Sequence, residues 1–145
     1  KEVDRILVEA DGAASRYFKV PLEHEPVIPA LSQLVLWIMA IKVLGHPIRS
    51  DMIHRSERVA KLLGVEFGTP LMMGHILELL KETSGCLKGI PKESRIVALL
   101  NQADNEKEIQ SARELGKRTI QLGSIERIVI TSYLEKNTIR EVIKL

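Results

Sequence analysis

The five residues from Ile96 to Leu100 carry no polar side chain, and this run constrains the chain more than any other feature. It is entered from Gly89-Ile90-Pro91 and left through Asn101-Gln102-Ala103-Asp104. A strand that is apolar at every position has both faces buried, and such strands belong to parallel sheets covered by helices. The following residues agree with this. Asn105 to Leu122 sets Ile109, Ala112, Leu115 and Ile120 on one side with Glu and Lys elsewhere, and Gly123 supplies a stop, which predicts a helix. Ile125 to Ile130 then reads as another apolar strand, so strand, helix and strand alternate. Earlier, Gln33 to Ile41 is nearly all apolar, and its β-branched content with the Leu44-Gly45-His46-Pro47 turn favours a strand over a buried helix. The expected fold class is α/β: one domain over residues 1–145, with a mainly parallel sheet and helices on both faces.

Other segments extend this reading. Val3 to Val8 is apolar around Asp4 and Arg5 and predicts a strand ending near Glu9. Gly12 to Pro29 has no helical period, and Pro21, Pro26 and Pro29 deny it long ladders, so it reads as an extended, ordered loop. Ser50 or Asp51 is the predicted cap of a helix through Leu63, closed by Gly64. Thr69-Pro70 is predicted to open a further helix that runs to Gly85. Thr138 to Leu145 alternates as a short edge strand or a frayed terminal helix.

Composition narrows the function classes. With 145 residues, 45% of them apolar, the chain can bury one core without staples. Charged residues are 28% with a net charge of +2 and no basic run, which argues against a dedicated nucleic-acid surface. Aromatics at 3% leave no stacking platform for single strands. The longest apolar stretch, Leu34 to Leu44, is broken by Lys42 and falls short of the roughly 20 residues that a membrane helix needs. No signal peptide or anchor is evident, and the lone Cys86 excludes an internal disulfide, so a reducing, cytoplasmic setting is expected. The chain enters a strand-like run directly after Lys1-Glu2, as a chain beginning inside a domain would.

Ligands of parallel sheets bind at the carboxyl ends of strands, and both strand tips of interest carry chemistry. Glu9-Ala10-Asp11-Gly12 is DxxG-like, with Glu9 in the acidic place. A carboxylate there can hold Mg²⁺ through water, while Gly12 lets a backbone N–H approach a terminal phosphate. The structural alternative is an ordinary strand-to-loop turn. The second tip, Asn101-Gln102-Ala103-Asp104, resembles the NKxD base-recognition motif of GTP-binding domains, with Gln102 in place of the lysine whose stem covers the base. Asp104 would accept two N–H bonds from a base and Asn101 would brace the loop; the alternative is that Asp104 caps the next helix. No GxxxxGK[ST] sequence occurs in the chain.

Further resemblance lies in Val8-Glu9-Ala10-Asp11-Gly12-Ala13-Ala14 and in Lys19-Val20-Pro21-Leu22-Glu23-His24-Glu25-Pro26-Val27-Ile28-Pro29. It continues through His54-Arg55, Gly85-Cys86-Leu87-Lys88-Gly89-Ile90-Pro91 and Leu100-Asn101-Gln102-Ala103-Asp104. Together these resemble the signature of the selenium-dependent hydroxylase accessory proteins, the YqeC family. The resemblance implies a P-loop NTPase-like fold of which this chain is the C-terminal portion, with a Gly-Lys-Thr loop preceding Lys1. It implies an accessory or maturation factor for a selenium-dependent molybdenum hydroxylase, one that binds GTP or ATP with Mg²⁺ when intact and acts as an NTPase only with that loop.

Beside that expectation stands a non-enzymatic module in which the loop from Lys19 to Pro29 holds a molybdopterin-type cofactor or a client protein. Lys19, Glu23, His24 and Glu25 are its polar group; on an extended chain Glu23 and Glu25 face away from His24, so the three cannot chelate one metal without a bend. His54 and Arg55 are candidates to reach an anion at a neighbouring strand tip, and Lys88 and Gly89 to meet phosphate. Cys86 lacks a CxxC partner and reads as inert. No catalytic residue can be named from the sequence.

Overall fold

The computed structural model of the protein describes residues 4–134 and 136–144. In chain order it contains β1 (Phe18–Lys19), β2 (Leu34–Ala40), a 3₁₀ turn (Ile41–Val43), β3 (Ile53–His54), α1 (Ser56–Leu63) and α2 (Met73–Lys81). These are followed by β4 (Arg95–Asn101), α3 (Glu106–Ile120), β5 (Arg127–Thr131) and β6 (Ile139–Lys144). Four strands form one sheet in the order β2-β4-β5-β6, and β1 pairs with β3 in a separate parallel pair. β2, β4 and β5 are parallel, and β6 is an antiparallel edge. The α/β alternation is therefore present, in a mixed rather than wholly parallel sheet.

β4 takes the central place that its apolar run demands, with Ala98 and Leu100 fully buried. Its register sets Leu34 opposite Arg95 and Ala40 opposite Asn101, so β2 and β4 end together. α3 starts where its chemistry dictates: the Asn105 side chain accepts from the Glu108 N–H at 3.0 Å, and Glu108 accepts in return from the N–H groups of Asp104 and Asn105 at 2.8 and 3.2 Å. The cap is thus Asn105, which leaves the Asp104 carboxylate for other partners. α3 packs on β5 and β6 through Gly116: a Cβ there would lie 3.0 Å from Ile143 Cδ1 and 3.1 Å from Ile128 Cγ2, so any side chain at this position must push these methyl groups aside.

The helices cover one face rather than two. Trp37, Met39, Ala98, Leu100, Ile128 and Ile130 are buried on the helix side, where α2 packs on α3 and α1 on α2. On the opposite face Leu34, Leu36 and Ile38 are 48%, 51% and 54% exposed, and among the described residues no helix lies over them. The strand expected from Val3 to Glu9 is also absent over its described part: Asp4 to Ala10 form no ladder, and Leu7 is 95% exposed. A strand needs a neighbour to take its N–H and C=O groups, and among the described residues no strand pairs with the outer edge of β2, whose Ala40 N–H donates instead to Tyr17 O at 3.0 Å.

Local competition moved two helix starts. α1 begins at Ser56, not near Ser50 or Asp51, because Ile53 and His54 pair with Phe18 and Lys19, and Arg55 turns the chain in the left-handed region at φ 56°. Gly64 closes α1 in the left-handed conformation, as expected. α2 begins at Met73 because the chain around Thr69 and Pro70 runs beside that around Pro47: Ile48 N–H donates to Thr69 O at 2.9 Å and Leu71 N–H to His46 O at 2.8 Å. It ends at Lys81, short of Gly85. The terminal alternation resolves as β6, with Leu145 outside the described residues. Among the described residues, no helix is long and apolar enough to cross a membrane.

Gly116→Val should drive methyl groups into Ile128 and Ile143 and destabilise the fold by about 1–3 kcal/mol. Urea unfolding should show a lower midpoint with an unchanged m-value; a midpoint equal to wild type would contradict the close packing.

Candidate functional site

The loop from Lys19 to Pro29 is built around Glu25. Its carboxylate accepts from the two terminal guanidinium nitrogens of Arg55, Nη1 and Nη2, with Nη2 to Oε1 at 3.0 Å, from Lys19 Nζ at 3.1 Å and from the Leu22 N–H at 3.1 Å. Lys19 also donates to the Asp11 carboxylate and to Gly12 O at 3.0 Å. Arg55 reaches this point because the β1–β3 pair sets His54 opposite Lys19. The Arg55 guanidinium, helped by the Leu22 N–H and Lys19 and opposed by burial, holds the Glu25 carboxyl well below its ordinary range. Burial, with Arg55 and Lys19 nearby, pushes the His54 imidazole below its usual value, so it is neutral near neutral pH.

Lys88 closes the same loop from the other side. Its three N–H donors meet three carbonyls: Leu22 O at 2.6 Å, Glu23 O at 2.6 Å and Glu25 O at 2.8 Å. The Gly85-Cys86 turn delivers it, and Gly85 is required there because a Cβ would sit 2.0 Å from Leu79 O. Gly89, at φ 73°, continues the turn against Pro26, whose bond to Glu25 is cis. Arg58, which the sequence did not single out, donates to Pro21 O at 2.8 Å. Lys19, Arg55, Asp11 and Glu25 thus neutralise one another, and Lys88 is spent on backbone. Glu23 and His24 are exposed. Cys86 is buried, which raises its thiol far above the ordinary range and keeps it protonated.

At the first motif, which ends no strand in the structure, Glu9 is exposed and its Oε1 lies where a Cβ on Gly12 would be only 3.2 Å away. Among the described residues no cluster of three or more His, Cys, Asp or Glu side chains could hold a metal alone. Mg²⁺ usually binds through one or two carboxylates plus phosphate and water, and Glu9 fits that limited part, whereas Asp11 is held by Lys19.

The second tip forms a cleft. Lys42, Asn101, Gln102, Asp104, Tyr133 and Leu134 line a cavity of about 350 Å³ at the carboxyl ends of β2, β4 and β5. Asn101 Oδ1 accepts from the Gln102 N–H, and Gln102 turns the chain at φ 59°. Ala103 N–H donates to Thr131 O at 2.9 Å, which ties this turn to β5. The Asp104 carboxylate accepts from Lys42 Nζ and, at 2.6 Å, from Ser132 Oγ. Lys42 first and Ser132 second lower the Asp104 carboxyl from its ordinary value, and Asp104 in turn raises the Lys42 ammonium. Asn101 and Asp104 thus share one cleft, while Asp11, Lys19, Glu25, Arg55 and Lys88 gather around the loop and Glu9 stands exposed outside that network. Sequence reasoning missed Lys42, Ser132 and Tyr133, although one signal existed: Lys42 is the sole charge in an otherwise apolar stretch.

Two outcomes follow from the loop. Glu25 stabilises the fold fully above its ordinary value of 4.5, and this is lost as pH falls toward its lower folded-state value. Glu25→Gln should therefore be less stable than wild type at about pH 7, with a smaller drop in urea midpoint between about pH 5 and pH 3; equal drops in both proteins would remove Glu25 from the acid response. Lys88→Met should cost about 2–3 kcal/mol through the carbonyls it leaves unpaired, read from the same unfolding curves.

Comparison with known proteins identifies a family. The sequence model of the YqeC protein family matches residues 1–57, which contain Glu9 to Gly12, the Glu25 loop and Arg55. A protein of Escherichia coli (strain K12), described as uncharacterized protein YqeC, is 33% identical over 101 residues, covering 70% of this chain. The match spans about 40% of that relative's length. No solved structure matches the chain. On the strength of the family match and this relative, the chain belongs to the YqeC family.

Proposed function

We propose that the intact protein is a nucleotide-dependent accessory factor for a selenium-dependent molybdenum hydroxylase, and that this chain supplies the base-binding part of a P-loop-type site. The observation that carries the nucleotide reading is the cleft where β2, β4 and β5 end together, with Asn101 and Asp104 on its wall. The carboxyl ends of parallel strands are where such sheets take ligands. The hydroxylase rests on the family resemblance. In this reading Asn101 braces the loop and Asp104 accepts hydrogen bonds from the base. Glu9 would hold a water of Mg²⁺, which would supply charge neutralisation to a bound triphosphate, and exposed Gly12 would offer its N–H to the terminal phosphate.

The anion cradle of this site would come from residues outside the chain. Two features support that. Among the described residues no strand pairs with the outer edge of β2, which is bonded to the chain at Tyr17 through Ala40, and the face with Leu34, Leu36 and Ile38 is half-exposed, as expected of a sheet that receives a further strand and helix there. The relative of known length is also much longer than the matched region. Calorimetry with Mg·GTP and Mg·ATP on the protein extended by its upstream coding sequence tests the proposal. Binding of one or both is expected, with loss of most affinity in Asp104→Ala; heat from neither nucleotide sinks it.

A further inference from the structure

The Asp104 carboxylate is fixed more firmly than a solvent-facing side chain would be. One oxygen accepts from Lys42 Nζ and the other from Ser132 Oγ at 2.6 Å. Each carboxylate oxygen has two acceptor positions, so one remains on each, and the side chain is 12% exposed where it lines the cleft. Lys42 and Ser132 keep the group ionised and therefore acceptor-only. Two acceptors side by side pair with two adjacent N–H donors on a ligand. An adenine edge, which alternates donor and acceptor, would set a lone pair against one of the oxygens.

We propose that the cleft reads a 2-amino-4-oxopyrimidine edge, the donor pattern shared by guanine nucleotides and pterins, and that Lys42 replaces the lysine absent at Gln102. Lys42 arrives from the 3₁₀ turn after β2, with its side chain 35% exposed along the cleft. Tyr133 and Leu134, both largely exposed, line the same cavity and offer apolar surface to a flat ring. The cavity, about 350 Å³, has room for one heterocycle. In its guanine form the inference rests on the nucleotide reading above; in its pterin form it stands apart from it.

The test is NMR titration of the 145-residue chain with GMP, AMP and pterin. GMP, pterin or both should shift the Ser132 and Tyr133 amides, with AMP at least about tenfold weaker. GMP alone identifies a nucleotide, pterin alone a pterin, and both together an edge read without the ribose. Asp104→Asn, which exchanges an acceptor for a donor at nearly equal size, should lose GMP and pterin and prefer XMP, whose C2 carbonyl accepts. Lys42→Ala should weaken the preferred ligand about tenfold, and Lys42→Arg should retain it. AMP binding as tightly as GMP and pterin, or shifts from none of the three, overturns the proposal. Wild-type affinity in Lys42→Ala removes the lysine role. Silence here with Mg·GTP binding to the longer protein defeats this inference alone; silence in both defeats the nucleotide reading too.

Discussion

The pairing of β4 on both edges is the constraint from which the cleft follows. A central strand with no polar side chain between Ile96 and Leu100 has to be buried, and its backbone groups can be satisfied only by neighbours on either side. Once β2 and β5 lie parallel to it, all three strands deliver their last residues to one end of the sheet. Lys42, Asn101, Asp104 and Ser132 meet there although 90 residues of chain separate the first from the last. The Asn105 cap on α3 contributes by taking the helix-start N–H bonds, which frees Asp104 to face the cleft.

The loop around Glu25 illustrates how a polar cluster can be structural. Two cations and two carboxylates are drawn together, and a third cation meets three carbonyls. Removing one member of such a partly buried network leaves its partners unpaired, which costs more than the pairing gains. Its charge is therefore spent on fixing the chain between Asp11 and β3. The cleft at the ends of β2, β4 and β5 is lined by other residues.

The open face of the sheet has a physical meaning as well. An edge that no strand pairs with among the described residues, beside half-exposed Leu34, Leu36 and Ile38, invites association, and folded proteins ordinarily cover such edges. The segment around Leu7 is likewise apolar and exposed, and among the described residues it pairs with no strand. Both belong to the family-matched part of the molecule or its immediate edge.

By itself the sequence determined the α/β alternation, the places of β2, β4, β5 and α3, and the strand-tip position of Asn101 to Asp104. Each rests on local information: apolar runs, a 3.6-residue period, Asn-x-x-Glu capping and glycine stops. The same local signals misplaced the starts of α1 and α2, where Ile53-His54 and Thr69-Pro70 found backbone partners far away in sequence. They also projected a strand before Glu9 and helices on both faces, features that depend on neighbours rather than on the segment itself. Only the tertiary structure decided that Lys19, Arg55 and Lys88 serve Glu25 and its loop, and that Lys42 serves Asp104. Ion pairs across 30 to 62 residues leave no periodic trace in a sequence, because they are set by which strand ends the sheet brings together.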